Sequence, residues 1–174
     1  PEGQLPPAVT ETQANRILAS VSETVAEADE ARDAALAETR LTAAVLAERK
    51  TNYTLRGKIK DRKALTAIPS KPVATLLPQQ SEGWPRSLMT IVYDEDDEAV
   101  APTIMMLTQA DPWANYKVAY LANLEASAAL PKVAPVDIGA IQVQPDSAFL
   151  LMQPQALAAA YADTLNKGDK SEYA

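Results

Sequence analysis

The side chains of this chain that could do chemistry are carboxylates, hydroxyls, amides and cationic groups, because its 174 residues include no histidine and no cysteine. Thiolate nucleophiles, Cys/His zinc sites, haem ligation through His, and Ser-His-Asp or Cys-His arrangements are therefore excluded within it. Paired carboxylates are the general acid–base chemistry that is left. Asp111, Glu125, Asp137 and Asp146 fall in or beside expected loops, and no spacing marks two of them as a pair. Gly57, Gly83, Gly139 and Gly168 are too scattered to form a phosphate-cradling loop. The expectation is a protein that is not an enzyme and needs no metal or cofactor.

Three groups of residues could bind rather than react. Trp84, Tyr93, Trp113, Tyr116 and Tyr120 all fall within the expected meander or its loops and could line a concave pocket between sheet and helices. Tyr116, Val118, Tyr120, Ala122 and Leu124 share one face by strand alternation, with Lys117 and Asn123 on the other. The plainer alternative is that this face packs on a helix. The basic run of Arg56, Lys58, Lys60, Arg62 and Lys63 could hold an anionic surface, or could be a solvated face. It carries no interleaved aromatics that would stack bases. The acidic run Asp94–Glu98 could be a calcium loop, but it lacks the Asp-x-Asp-x-Asp-Gly pattern and the closing Glu, and a solvated hairpin tip is the alternative. A net charge of −7 argues against nucleic acid as a partner.

These groups have to be positioned by about one domain's worth of chain. Residues 1–9, with three prolines, read as an extended, mobile lead-in. Thr10 and Gln13 form a capping-box pattern. Ala14, Ile17, Leu18, Val21, Val25, Ala28 and Ala35 then recur at helical spacing, which predicts a helix of roughly seven turns. A bend is expected near Glu38–Leu41, followed by a short helix from Ala43 to Asn52 capped by Thr42, with Leu41 and Leu46 as its hydrophobic staple. A strand is expected at Val73–Leu77. Three more, rich in Ile, Val, Met, Tyr and Thr and bounded by turn formers, are expected at Ser87–Tyr93, Pro102–Gln109 and Tyr116–Glu125 as an antiparallel meander. Ile138–Val143 is a further possible strand. Pro154 opens and Gly168 closes a C-terminal helix. The expected domain runs from 10 to 153, with 154–174 as helix and polar tail. No stretch has 18 consecutive apolar residues, so no transmembrane helix is expected.

A long helix and a short helix bent back onto a curved antiparallel sheet is an α+β roll that resembles the NTF2-like (cystatin-like) superfamily. Local strings are also similar to a family of actinobacterial cell-surface proteins and lipoproteins of unknown function. They are Leu41–Arg49 leading into Asn52–Arg56, Trp84-Pro-Arg86, Leu107–Pro112 before Asn115–Val118, and Ala159–Leu165. The resemblance implies an exported, membrane-tethered setting. Enzymes of that superfamily place an Asp/His or Tyr/Asp set inside the cone, whereas other members are ligand binders or inert extension domains. The lack of an initiator Met, a basic n-region and an apolar h-region at Pro1 reads as a start after processing or cloning, with a signal or lipid anchor upstream.

Two functional expectations follow. The first is a non-catalytic extracytoplasmic domain with a structural or protein-interaction role toward a partner or neighbouring domain of the cell envelope. The alternative is a pocket between the long helix and the sheet that takes a small hydrophobic ligand or lipid. Cavity volume discriminates them, because an anchoring domain needs none.

Overall fold

The capping box opens the first helix as its sequence dictates. In the computed structural model, which describes residues 5–94, 101–125, 128–129 and 132–174 (backbone alone for 73–75), the Thr10 hydroxyl accepts from the Gln13 amide and the Gln13 side chain accepts from the Thr10 amide. Helix α1 runs Glu11–Ala31 and buries Ala14, Leu18, Val21, Val25 and Ala28. It stops short of the expected seven turns. Arg32 takes the left-handed conformation (φ 55°) and Asp33 caps a new helix, α2 (Ala34–Glu38), by accepting from the amides of Ala35 and Leu36. The expected stripe residue Ala35 is exposed and Ala37 is buried in its place, so the buried face shifts at the break.

Helix α3 (Ala43–Lys58) begins after Thr42 as expected, although the Thr42 side chain makes no capping bond. It runs past Asn52, where a short helix was expected to end, because Tyr53 and Arg56 still face α1 and find partners there. The expected staple residue Leu41 is fully buried and Leu46 packs against the core.

Four strands form an antiparallel sheet in sequential order, β1 (Lys71–Pro78), β2 (Arg86–Tyr93), β3 (Thr103–Gln109) and β4 (Lys117–Asn123). The fold class is α+β, as expected. Pro72 and Pro78 sit in β1, an edge strand where a missing amide costs least. At the opposite edge the α2–α3 link adds itself to β4, since Val118 donates to the Arg40 carbonyl and accepts from the Thr42 amide. One sheet face carries Leu76, Leu88, Val92, Met105, Leu107 and Val118 into a core shared with α1 and α3.

The face expected for β4 is corrected by one residue. Met106 pairs with Tyr120 but Leu107 pairs with Val118, so Ala119 is an extra residue, a β-bulge. Alternation slips there. Tyr116, Val118 and Ala119 are buried, while Tyr120 turns to the outer face and Asn123 to the inner one, where its side chain accepts from Thr103.

Part of the lead-in belongs to the fold rather than being mobile. Pro7 bridges Gln80, the Ala8 amide donates to Gln79 O, and Ala8 and Val9 are buried. The expected strand Ile138–Val143 is not formed, since Ala140 makes only an isolated bridge to Gln79. A turn closed on Pro135 and a positive φ (77°) at Gly139 bend the chain there, and the Ala140 amide then donates to Pro78 O. A Cβ on Gly139 would stand 2.7 Å from that same carbonyl. Gly139→Ala is therefore expected to lower stability by about 2–4 kcal/mol, combining left-handed strain with a backbone clash, in urea denaturation. A loss below about 0.5 kcal/mol would show that the turn relaxes freely.

The chain divides into two compact units, residues 1–140 and 141–174. The second holds a 3-10 turn at Pro154–Ala156 and helix α4 (Leu157–Lys167), closed by Gly168 (φ 54°) as its sequence suggests. Within it Asp163 pairs with Lys167 and accepts from Ser171. No helix among the described residues is long and apolar enough to cross a membrane. The acidic run from residue 95 to 98 lies outside the described residues.

Candidate functional site

Asp29, on the last turn of α1, gathers three side chains of α3. One carboxylate oxygen accepts from the Tyr53 hydroxyl at 2.6 Å and the other pairs with the Arg49 guanidinium, while its backbone carbonyl accepts from Arg56 at 2.7 Å. Arg49 also donates to Thr66 O, and Asn52 to Lys63 O. A Tyr–Asp pair is the kind of set that enzymes of the resembled superfamily use. Here both carboxylate oxygens are engaged, and burial together with the Asp29 hydrogen bond pushes the Tyr53 phenol well above its usual range. A group held protonated and fully bonded is a latch between helices, not a poised base.

A cleft of about 450 Å³ opens elsewhere, where the start of α1, the α2–α3 link, the start of β2 and the β3–β4 loop meet. Its lining includes Gln13, Arg16, Arg40, Trp84, Arg86, Gln109, Asn115 and Tyr116. The wall is fixed by a chain of bonds. Trp84 donates to the Gln109 side chain at 3.1 Å, and Gln109 donates to Ala114 O at 2.9 Å. Asp111 holds the same loop by accepting from the amides of Trp113 and Ala114. Arg86 lies over the Trp84 ring, its guanidinium carbon 4.1 Å from the ring centre, and is tied to Gly83 O and Ala8 O. Such a position leaves a guanidinium charge largely intact. Arg40 donates to Ser20, and Arg16 makes no hydrogen bond or ion pair among the described residues.

Tyr116 is only 5% exposed, and its buried hydroxyl has no hydrogen-bond partner among the described residues. Burial raises its pKa, with the Arg86 charge pulling the other way, so the phenol stays protonated at neutral pH and serves as a donor. An orphaned buried hydroxyl costs free energy unless something accepts from it.

The five expected aromatics are not brought together. Trp84 and Tyr116 line the cleft, but Trp113 is 91% exposed and Tyr120, at 60%, is on the outer sheet face because of the bulge. Tyr93 ends β2, at the opposite end of the strand from Arg86, and is exposed. In the basic run, Arg56 and Lys58 close α3, where cations suit the helix dipole. Arg56 turns inward to Asp29, while Lys58, Lys60, Arg62 and Lys63 are exposed. Of the carboxylates considered, Asp111 serves its turn and Asp137 borders a separate depression with Glu11. Among the described residues no group of three or more carboxylates could hold a metal ion.

Sequence reasoning missed Gln13, Arg16, Arg40, Arg86, Gln109 and Asn115. The spacing of Gln13, Arg16 and Ile17 does put them on one side of a helix. Nothing local could have joined Arg40 or the β3–β4 loop to that side.

The model of a family described as a domain of unknown function (DUF8094) matches residues 5–174. No curated protein and no solved structure matches the chain.

Proposed function

From the premise that the chain belongs to the DUF8094 family, a domain of unknown function, we propose that it is a non-catalytic binding domain whose cleft between α1 and the sheet takes a small ligand. The observation that carries this reading is the cleft itself, because a pure spacer needs none. Its lining supports binding over turnover. It offers donors (three arginines and side-chain amides) but, among the described residues, no carboxylate to accept a proton, and the chain has no thiol or imidazole. The resembled strings favour an exported, membrane-tethered setting and an NTF2-like relationship.

The test is native mass spectrometry of the chain purified gently from its own source. A bound small molecule is expected, and it should be lost from a Tyr116→Phe, Arg86→Gln variant while a Tyr120→Ala variant keeps it. A clean apo mass for the unsubstituted chain would falsify the binding reading.

A second reading, contact with a protein partner or neighbouring domain, is favoured by the outer sheet face. There Met89, Met106 and Tyr120 stand in register across three strands and are all exposed. Such a contiguous apolar strip is a common mark of an interaction surface.

A further inference from the structure

Building on the binding reading, we infer that the cleft recognises an oxyanion, a carboxylate or phosphate group carried by its ligand. The chain is acidic as a whole, with a net charge of −7, yet Arg16, Arg40 and Arg86 line this one cleft and no Asp or Glu among the described residues does. None of the three has an ion-pair partner among the described residues, although the chain does form such pairs elsewhere, at Asp29, Glu38 and Asp163. A guanidinium has five N–H donors. Arg86 uses two of them on backbone carbonyls and Arg40 one on Ser20, so most of their donors are left for a ligand.

The second observation is independent of charge. The buried Tyr116 hydroxyl has no acceptor, and it belongs to the same wall as Arg86. Its oxygen is closed to solvent behind that wall, so an anion reaches it only where the wall yields, and the protonated phenol then has one bond to give. Guanidinium forks and a phenol donor together match an oxyanion, which accepts on several lone pairs and donates nothing. A neutral alcohol or amide would leave the arginine charges uncompensated. The position of Arg86 over Trp84 also makes the site reportable, because an anion bound to that guanidinium alters the environment of the indole beneath it.

The experiment uses the full chain carrying Trp113→Phe, which leaves Trp84 as the one tryptophan. Its fluorescence is titrated with inorganic phosphate, phenyl phosphate, benzoate and, as a neutral control, benzyl alcohol. Saturable binding of the anions but not of benzyl alcohol is expected. It should weaken as salt rises, and weaken about tenfold or more in Arg86→Gln, as for loss of one charge-assisted bond. Arg86 also braces Ala8 and Gly83, so Arg16→Gln provides a variant at an exposed helix position that cannot perturb the core, and it should lower anion affinity severalfold. Sedimentation with phosphatidylglycerol against phosphatidylcholine vesicles separates the two sources. Selective capture by the anionic vesicles, lost in Arg16→Gln, identifies the oxyanion as a lipid headgroup, whereas binding of the soluble anions alone identifies a free ligand. Equal binding of benzyl alcohol and the anions, unchanged in both arginine variants, overturns the oxyanion inference and leaves the binding reading standing. No response to any probe or vesicle overturns the oxyanion inference, and with a clean apo mass the binding reading falls too.

Discussion

Asp29→Ala is expected to destabilise the chain by about 3–5 kcal/mol, the range for removing one partner of a buried pair. The reason lies in what the carboxylate leaves behind. The Arg49 side chain is 5% exposed and that of Asp29 13%, so without Asp29 a guanidinium charge stays buried with only Thr66 O to accept from it. The Tyr53 hydroxyl loses its acceptor at the same time. Tyr53→Phe removes one donor and leaves the ion pair, so it should cost about 1 kcal/mol. A double variant, Asp29→Leu with Arg49→Met, removes both charges and should recover much of the loss, because a well-packed apolar pair can match a buried ion pair. Urea denaturation monitored by circular dichroism measures all three. If Asp29→Ala lost less than about 1 kcal/mol, the latch would be open to water and the buried-charge account would be wrong.

That latch explains why the second long helix outruns its sequence signal. Beyond Asn52 the chain becomes basic, and read locally it looks like a loop. Arg56 and Tyr53 instead bond Asp29, more than twenty residues earlier, and the tertiary bonds carry α3 on to Lys58. The interruption of α1 at Arg32 was invisible for the opposite reason. It contains no Gly or Pro, and Asp33 could as easily have been an outer-face acid as the cap it is. What was legible came from patterns that local chemistry enforces, namely the Thr10–Gln13 box, the small apolar stripe from Ala14 to Ala28, and the β-branched and aromatic runs that became β2, β3 and β4. The cleft was half legible. Trp84 and Tyr116 stood out by type, but the arginines that give the cleft its character come from three separate places in the chain's order and meet only in the fold.

The bulge at Ala119 offers the sharpest check on this reading, because uninterrupted alternation makes Val118 and Tyr120 equivalent and the observed register makes them opposites. Val118 is fully buried between the sheet and the helices and pairs with Leu107, also fully buried. An aspartate there has no cation to meet it among the core residues around it, which are aliphatic, methionine and tyrosine, and a neutral hydroxyl does not compensate a buried charge. Burying an unpaired carboxyl, even one that escapes by taking up a proton, costs several kcal/mol, a large share of the roughly 5–15 kcal/mol that holds a domain together. Val118→Asp is accordingly expected to yield an unfolded or insoluble chain. Tyr120→Asp places the same charge on the outer face beside Met106, loses one cross-strand contact, and should cost no more than about 1 kcal/mol. Comparable losses in the two variants would return Tyr120 to the core face and remove the bulge. With the register as observed, the folded Tyr120→Asp chain keeps the cleft intact and spoils only the outer apolar strip. Loss of a partner in that variant with anion binding preserved would therefore assign the two surfaces to separate roles.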